Sequence, residues 1–375
     1  MQYKIFDKEM KLVINENAFE SKVTVSSPAE GVELIQVELN AKSEPAIPEI
    51  EIQWETDALD IQGQWHPGSR DTKHLMPPWA PSHRANVVFN APVFSLYNTA
   101  GTNRMTFALS ECVYPTEVFC AVKESMNSVF TLAARVKPED CMQVSNYSVT
   151  LRVDKREKHF ARVLEDIVAW WESLGYAPRK IPALAREPIY SSWYAFHGEL
   201  STEELIREGA LASELGCKLM IMDAGWDSNI DDDFSNGDWE PTTIKDIRYL
   251  SDRLHELGLK FMVWFAVPFI SRESKAWERF AKKVFNPEQQ GSIVLDYRYK
   301  EIRDHINSIL ENAVRDWNLE GLKIDFIDSI PVKGPNPNPN DPERDTESVC
   351  MSIIKFFEEL MGRLEKINKD TLIEF

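Results

Sequence analysis

The sequence has no run approaching the roughly 18 apolar residues that a membrane span requires. Its opening, MQYKIFDKEMKLVINENAF, lacks the apolar core of a signal peptide. A cytoplasmic chain is the expectation. Cysteine is scarce: Cys112, Cys120, Cys141, Cys217 and Cys350 form no CxxC pair and no Cys/His cluster at ligand spacing, so they read as buried thiols. There is no His-x-His pair, no phosphate-cradling glycine fingerprint and no Gly-x-Ser-x-Gly nucleophile elbow. No metal and no cofactor are expected. Positive charge is in deficit, with 42 Lys and Arg against 60 Asp and Glu and a net charge of -18. Such a chain repels phosphate backbones and anionic lipid, which excludes nucleic acid and membranes as partners and favours a neutral ligand. Assembly into a homo-oligomer is left open.

What is present fits a soluble globular protein of two domains: 375 residues, 43% hydrophobic and 27% charged. Up to about residue 155 the chain alternates in short strands, as in Ile50-Glu51-Ile52-Gln53-Trp54 and Tyr147-Ser148-Val149-Thr150-Leu151-Arg152-Val153. Turn-rich stretches separate them, which predicts an N-terminal β-sandwich over 1–155. Phe160, Val163, Leu164, Ile167, Trp171 and Leu174 then share a helical stripe that stops at Gly175. This helix and the proline-punctuated segment after it predict a helical linker over 156–187.

From residue 188 strands and helices alternate. The strands are expected at 189–195, 218–224, 260–266, 322–327 and 371–375, and the helices at 201–216, 247–257, 272–285, 298–317 and 345–367. The first helix opens on a capping box, Ser201 with Glu204. Repeated βα units predict a parallel sheet wrapped by helices, and polar and Trp residues at the strand ends favour a (β/α)8 TIM-type barrel over an open sheet. Five βα units are visible where such a barrel needs eight. The sequence stops on the apolar run Leu372-Ile373-Glu374-Phe375. A partial barrel over 188–375 is therefore expected.

Lys323 and Asp325, two apart on a strand, share one face. In a barrel that face is the lumen at the catalytic rim, and a carboxylate beside an ammonium is available as a nucleophile. Read alone, Lys-x-Asp is more often a structural ion pair. Asp223 in Asp223-Ala224-Gly225-Trp226 follows the second strand, where a carboxylate accepts sugar hydroxyls or, equally, caps a helix. Trp193, Trp226, Trp239 and Trp264 all stand at or just beyond strand ends. One such indole is usually packing, whereas several around one rim suggest a carbohydrate site. His197, His255 and His305 offer no triad.

Several landmarks in register resemble the melibiase-type α-galactosidases, glycoside hydrolase family 36. They are Pro188-Ile189-Tyr190-Ser191-Ser192-Trp193-Tyr194, Asp223-Ala224-Gly225-Trp226, Gly237-Asp238-Trp239, Val263-Trp264-Phe265-Ala266-Val267-Pro268, Leu295-Asp296-Tyr297-Arg298 and Lys323-Ile324-Asp325. The resemblance covers about residues 178–375; the first 155 residues resemble that family's N-terminal sandwich only in kind. It implies a retaining glycosidase in which Asp325 is the nucleophile and Lys323, Asp223, Trp193, Trp226, Trp264, Trp239 and Arg298 shape the sugar site. It also implies an acid/base Asp from a later strand, which no residue here matches, so the chain as given is expected to be inactive or impaired. The family usually shows two adjacent aspartates before Gly-Trp, and here the second is Ala224. That departure bears on which sugar is held. The competing expectation is a non-catalytic carbohydrate-binding protein lacking the proton donor. A further expectation places the 64–84 loop, with Trp65 and Trp79, over the barrel mouth or a neighbouring subunit's mouth, packing inside the sandwich being its plainer alternative.

Overall fold

The computed structural model describes residues 3–14, 18–69, 75, 82–123, 128–139, 141–227, 236–286, 293–332 and 338–375. The chain divides into two units, Met1–Arg179 and Lys180–Phe375.

The first unit contains β1 (Tyr3–Ile5), β2 (Lys8–Ile14), β3 (Glu20–Ala29), β4 (Val32–Asn40), β5 (Ile50–Asp57) and β6 (Gly63–Trp65). It continues with β7 (His83–Ala85), β8 (Val93–Tyr97), β9 (Asn103–Leu109), β10 (Thr116–Val122), β11 (Val129–Val136), β12 (Asn146–Asp154) and helix α1 (Phe160–Ser173). They form two antiparallel sheets, β1-β2-β5-β11-β10-β7 and β3-β4-β12-β9-β8-β6. The period-two alternation turns Ile50, Ile52 and Trp54 inward from one sheet, and Val149, Leu151 and Val153 from the other. The two faces meet in one core, where Trp54 stands edge-on to Phe107 at 5.0 Å. Each such side chain, fully buried, contributes about 1.5–3 kcal/mol.

Helix α1 follows its predicted stripe. Val163 and Ile167 are buried, Ile167 packs with Val93 and Ala108, and the Trp171 indole donates to the Leu109 carbonyl at 2.8 Å. The helix ends before Gly175, whose φ of +103° suits glycine. Read from sequence as a linker, α1 packs on the sandwich strands β8 and β9. Trp65 packs against the same cluster, while much of the 64–84 loop, Trp79 included, lies outside the described residues.

The second unit alternates as β13 (Ile189–Ser191), α2 (Trp193–Phe196), α3 (Thr202–Glu214), β14 (Leu219–Met222), α4 (Ile247–Glu256) and β15 (Lys260–Phe265). It continues with β16 (Phe269–Ile270), α5 (Trp277–Phe280), β17 (Ile293–Val294), α6 (Lys300–Asp316), β18 (Gly321–Ile324), α7 (Val349–Leu364) and β19 (Leu372–Glu374). The strands β13-β14-β15-β18-β19 form a parallel sheet in that order. Strands β16 and β17 pair antiparallel beside it. At α3 the Ser201 hydroxyl oxygen accepts the Glu204 amide and its hydrogen goes to the Glu204 carboxylate. Arg303 of α6, fully buried, ties that helix to α7 through Glu359 and to Asp345. Among the described residues no helix is long and apolar enough to cross a membrane.

Two elements differ from expectation. The first strand stops at Ser191, and Trp193 opens a short helical turn instead. The helix expected over 272–285 shrinks to α5, because the Phe285 amide donates to the Val294 carbonyl at 2.9 Å and Val284 bridges Leu295. Pairing with β17 takes the backbone groups that a longer helix would need.

Register across the parallel sheet aligns Ile221, Met262, Gly321 and Leu372. Ile221, Met262 and Leu372 share an apolar cluster with Leu219. Gly321 is small because its neighbours fill its space: an added Cβ would meet the Leu372 carbonyl oxygen at 2.7 Å, Leu372 Cβ at 2.8 Å and Met262 Cγ at 2.9 Å. Gly321→Val is therefore expected to destabilise the second unit by about 1–3 kcal/mol. Urea unfolding followed by tryptophan fluorescence checks this, and an unchanged midpoint would contradict the close packing of β15, β18 and β19.

Candidate active site

One step toward the strands' C-terminal ends, the layer changes from apolar to polar. Trp264, Lys323 and Glu374 are register partners on β15, β18 and β19. Asp223 follows Met222, the partner of Val263. Strand alternation puts these side chains on the face that carries the Ile221 and Met262 cluster. Lys323 spans the gap between strands: its Nζ donates to Asp223 Oδ2 at 2.7 Å and lies 3.7 Å from Asp325 Oδ2. The Trp264 indole Nε1 donates to the same Asp325 oxygen at 2.9 Å.

Local backbone fixes both carboxylates. The Asp223 side chain is 4% exposed; its Oδ1 accepts the Ala224 amide at 2.9 Å, and its own amide donates to Ser192 Oγ at 2.9 Å. Asp325 lies one residue past β18, yet its amide still donates to the Phe265 carbonyl at 2.9 Å and so prolongs the ladder. Its Oδ1 accepts the Phe326 amide at 2.8 Å, and Phe326, at φ +61°, turns the chain away. The Asp325 side chain remains 36% exposed. The arrangement therefore holds one carboxylate buried as an acceptor and presents a second, oriented by an indole and an ammonium, to solvent.

Burial works against the Lys323 ammonium, but the hydrogen bond to Asp223 and the charges of Asp223, Asp325 and Glu374 outweigh it, so its pKa is raised above 10.5. Among the described residues no cluster of His, Cys, Asp and Glu is arranged to hold a metal ion.

Of the residues expected at the sugar, Asp325, Lys323, Asp223 and Trp264 come together. Trp193 is half-buried, with its ring edge-on to His197 at 5.2 Å. Trp226 and Trp239 are buried among other partners. Trp226 is fully buried, edge-on to Phe265 at 5.3 Å and to Trp317 at 5.4 Å, and donates from Nε1 to the Trp264 carbonyl. Trp239 is buried as well, 6.3 Å from Phe265. Phe265 adjoins Trp264 in β15 and so faces the opposite side of the sheet, which puts both indoles behind it. Arg298 has partners of its own: its guanidinium is clamped by Asp296 over the Phe285 ring, and Arg344 bonds the same carboxylate. His255 pairs with Glu320 and His305 bonds the Gly237 carbonyl, so neither joins the cluster. Sequence reasoning passed over Ser192 and Glu374. The alternation of Leu372, Ile373 and Glu374 was the available signal for the second, and the landmark over 188–194 contained the first.

Removing the ammonium leaves Asp223 buried without its cation. Lys323→Met is expected to cost about 2 kcal/mol at neutral pH. The raised Lys323 pKa adds stability that is complete below 10.5 and is lost as pH rises through the raised value. Urea midpoints across that alkaline window check both points: the native protein should lose this increment, while the Met variant, already lower, should not.

A profile of the Melibiase family matches residues 178–373. The chain is 24% identical over 193 residues to alpha-galactosidase AgaA of Geobacillus stearothermophilus, covering 48% of this chain and 26% of the relative. It is 30% identical over 152 residues to alpha-galactosidase Mel36A of Lactobacillus acidophilus, covering 38% and 20%. Its fold matches the crystal structure of an AgaA variant in complex with raffinose, with a TM-score of 0.61 at 15% identity, covering 100% of this chain and 56% of that one. The alpha-galactosidase from Lactobacillus brevis matches with a TM-score of 0.60 at 14% identity, covering 97% and 56%. The chain thus spans about half the length of these solved relatives. With the profile covering the parallel sheet and every residue of the Lys323 cluster but Glu374, the chain belongs to the melibiase-type α-galactosidases of glycoside hydrolase family 36.

Proposed function

We propose that this protein is a retaining glycoside hydrolase acting on α-linked galactosides or related oligosaccharides, with Asp325 as its nucleophile. The observation that carries this reading is the half-exposed Asp325 carboxylate held by Trp264 Nε1 beside the Lys323 ammonium. In a double displacement Asp325 attacks the anomeric carbon, the glycosidic bond breaks, and water later cleaves the resulting ester. Lys323 and Asp223 hold sugar hydroxyls, and Trp264 and Trp193 border the ring. The raffinose complex of the AgaA variant supports an α-galactoside as the class of ligand.

In this reading residues 1–155 are an N-terminal β-sandwich, 156–187 a helical linker, and 188–375 five βα units of a (β/α)8 barrel. The proton donor, about 5–5.5 Å from the nucleophile in a retaining enzyme, comes from a strand outside these five. General acid catalysis is worth about 10²–10⁴-fold, so the 375-residue polypeptide alone turns over substrate poorly. Ala224 stands where the family usually has a second aspartate. A site that loses one acceptor for a hydroxyl discriminates less against sugars lacking it. The low cysteine count fits a cytoplasmic location.

Proton NMR of the sugar first released from an aryl α-galactoside by the intact gene product tests the mechanism. The α-anomer is expected before mutarotation. The β-anomer would contradict a covalent intermediate, and binding without turnover would favour a carbohydrate-binding protein.

A further inference from the structure

Glu374 has no assigned role, yet the sheet sets it beside the reacting group. It is the Cα partner of Lys323 across β18 and β19, and through Lys323 it shares a layer with Trp264. Its carboxylate is exposed, and its charge acts on the Lys323 ammonium. The groups facing that ammonium are Asp223 beyond β14, Trp264 on β15, Asp325 beyond β18 and Glu374 on β19. Lys323 leans toward Asp223 across β15, so Glu374 stands on its opposite flank.

We propose that Glu374 is a positioning residue that sets the charge of this site through Lys323. The assignment rests on the glycosidase reading above. Three carboxylates around one ammonium leave the site with two negative charges in excess. When Asp325 becomes an ester it loses its charge, and Glu374 with Asp223 keeps the ammonium balanced. Throughout, the excess negative charge favours the oxocarbenium-like cation that develops at the anomeric carbon. Losing a group that acts on the transition state alone lowers kcat without changing KM, whereas losing a group that binds sugar hydroxyls equally in both states raises KM.

The test compares Glu374→Gln, Glu374→Asp and the exposed helix control Glu358→Gln in the intact gene product. Lys323 titration, read by NMR of site-labelled lysine, accompanies kinetics on an aryl α-galactoside. Glu374→Gln should lower the Lys323 pKa and reduce kcat roughly tenfold with KM unchanged. Glu374→Asp should restore part of both effects, and Glu358→Gln should change neither. An unchanged Lys323 titration in Glu374→Gln overturns the proposal. So does a rise in KM alone, which would make Glu374 a sugar ligand instead. If Lys323 responds while the unmutated protein cleaves no α-galactoside, the coupling stands and the glycosidase reading fails.

Discussion

The bond between Lys323 and Asp223 is the constraint on which the rest of the site depends. It crosses from β18 over β15 to the end of β14, so it forms only while three parallel strands hold their register. A one-residue slip would send Lys323 to the opposite face and strand Asp223 in a buried position. Asp325 shares this dependence, because its amide is pinned by Phe265 and its carboxylate by the neighbouring Trp264. The layer beneath, with Gly321 accepting Leu372 and Met262 against its backbone, keeps those strands close enough for the bond to span them.

The two faces of β15 divide the aromatic residues between different tasks. Trp264 points toward Lys323 and Asp325, and its carbonyl accepts the Trp226 indole. Phe265, the next residue, collects Trp226, Trp239 and Trp317 on the other side. Aromatic mass packed behind the sheet supports the residue that orients Asp325, so Trp226 acts at one remove from the cluster. Asp296, Arg298 and Arg344 likewise form a buried ionic group, which also reaches Glu347.

Much of the architecture was legible in the sequence because periodicity and burial agree. The alternation at residues 50–54 gave one sandwich strand, and the stripe from Phe160 to Leu174 gave α1. Lys323 and Asp325 were readable from spacing, and their approach to Asp223 from strand-end placement. The indoles were not. Being near a strand end does not say to which side the following loop returns, and that alone separates Trp264 from Trp226 and Trp239. The setting of Arg298 was not legible either, because Arg344 lies far along the chain and only the fold brings both to Asp296. The helix over 272–285 failed because a strand partner outside the window, β17, claimed its end.

The proposed function turns on one group, the Asp325 carboxylate, as the one that bonds to the sugar. Mass-spectrometric mapping of the intact gene product after incubation with a fluorinated galactosyl inactivator tests that claim most directly. The account predicts one modified peptide, with the glycosyl group on Asp325. Labelling at any other residue would contradict it.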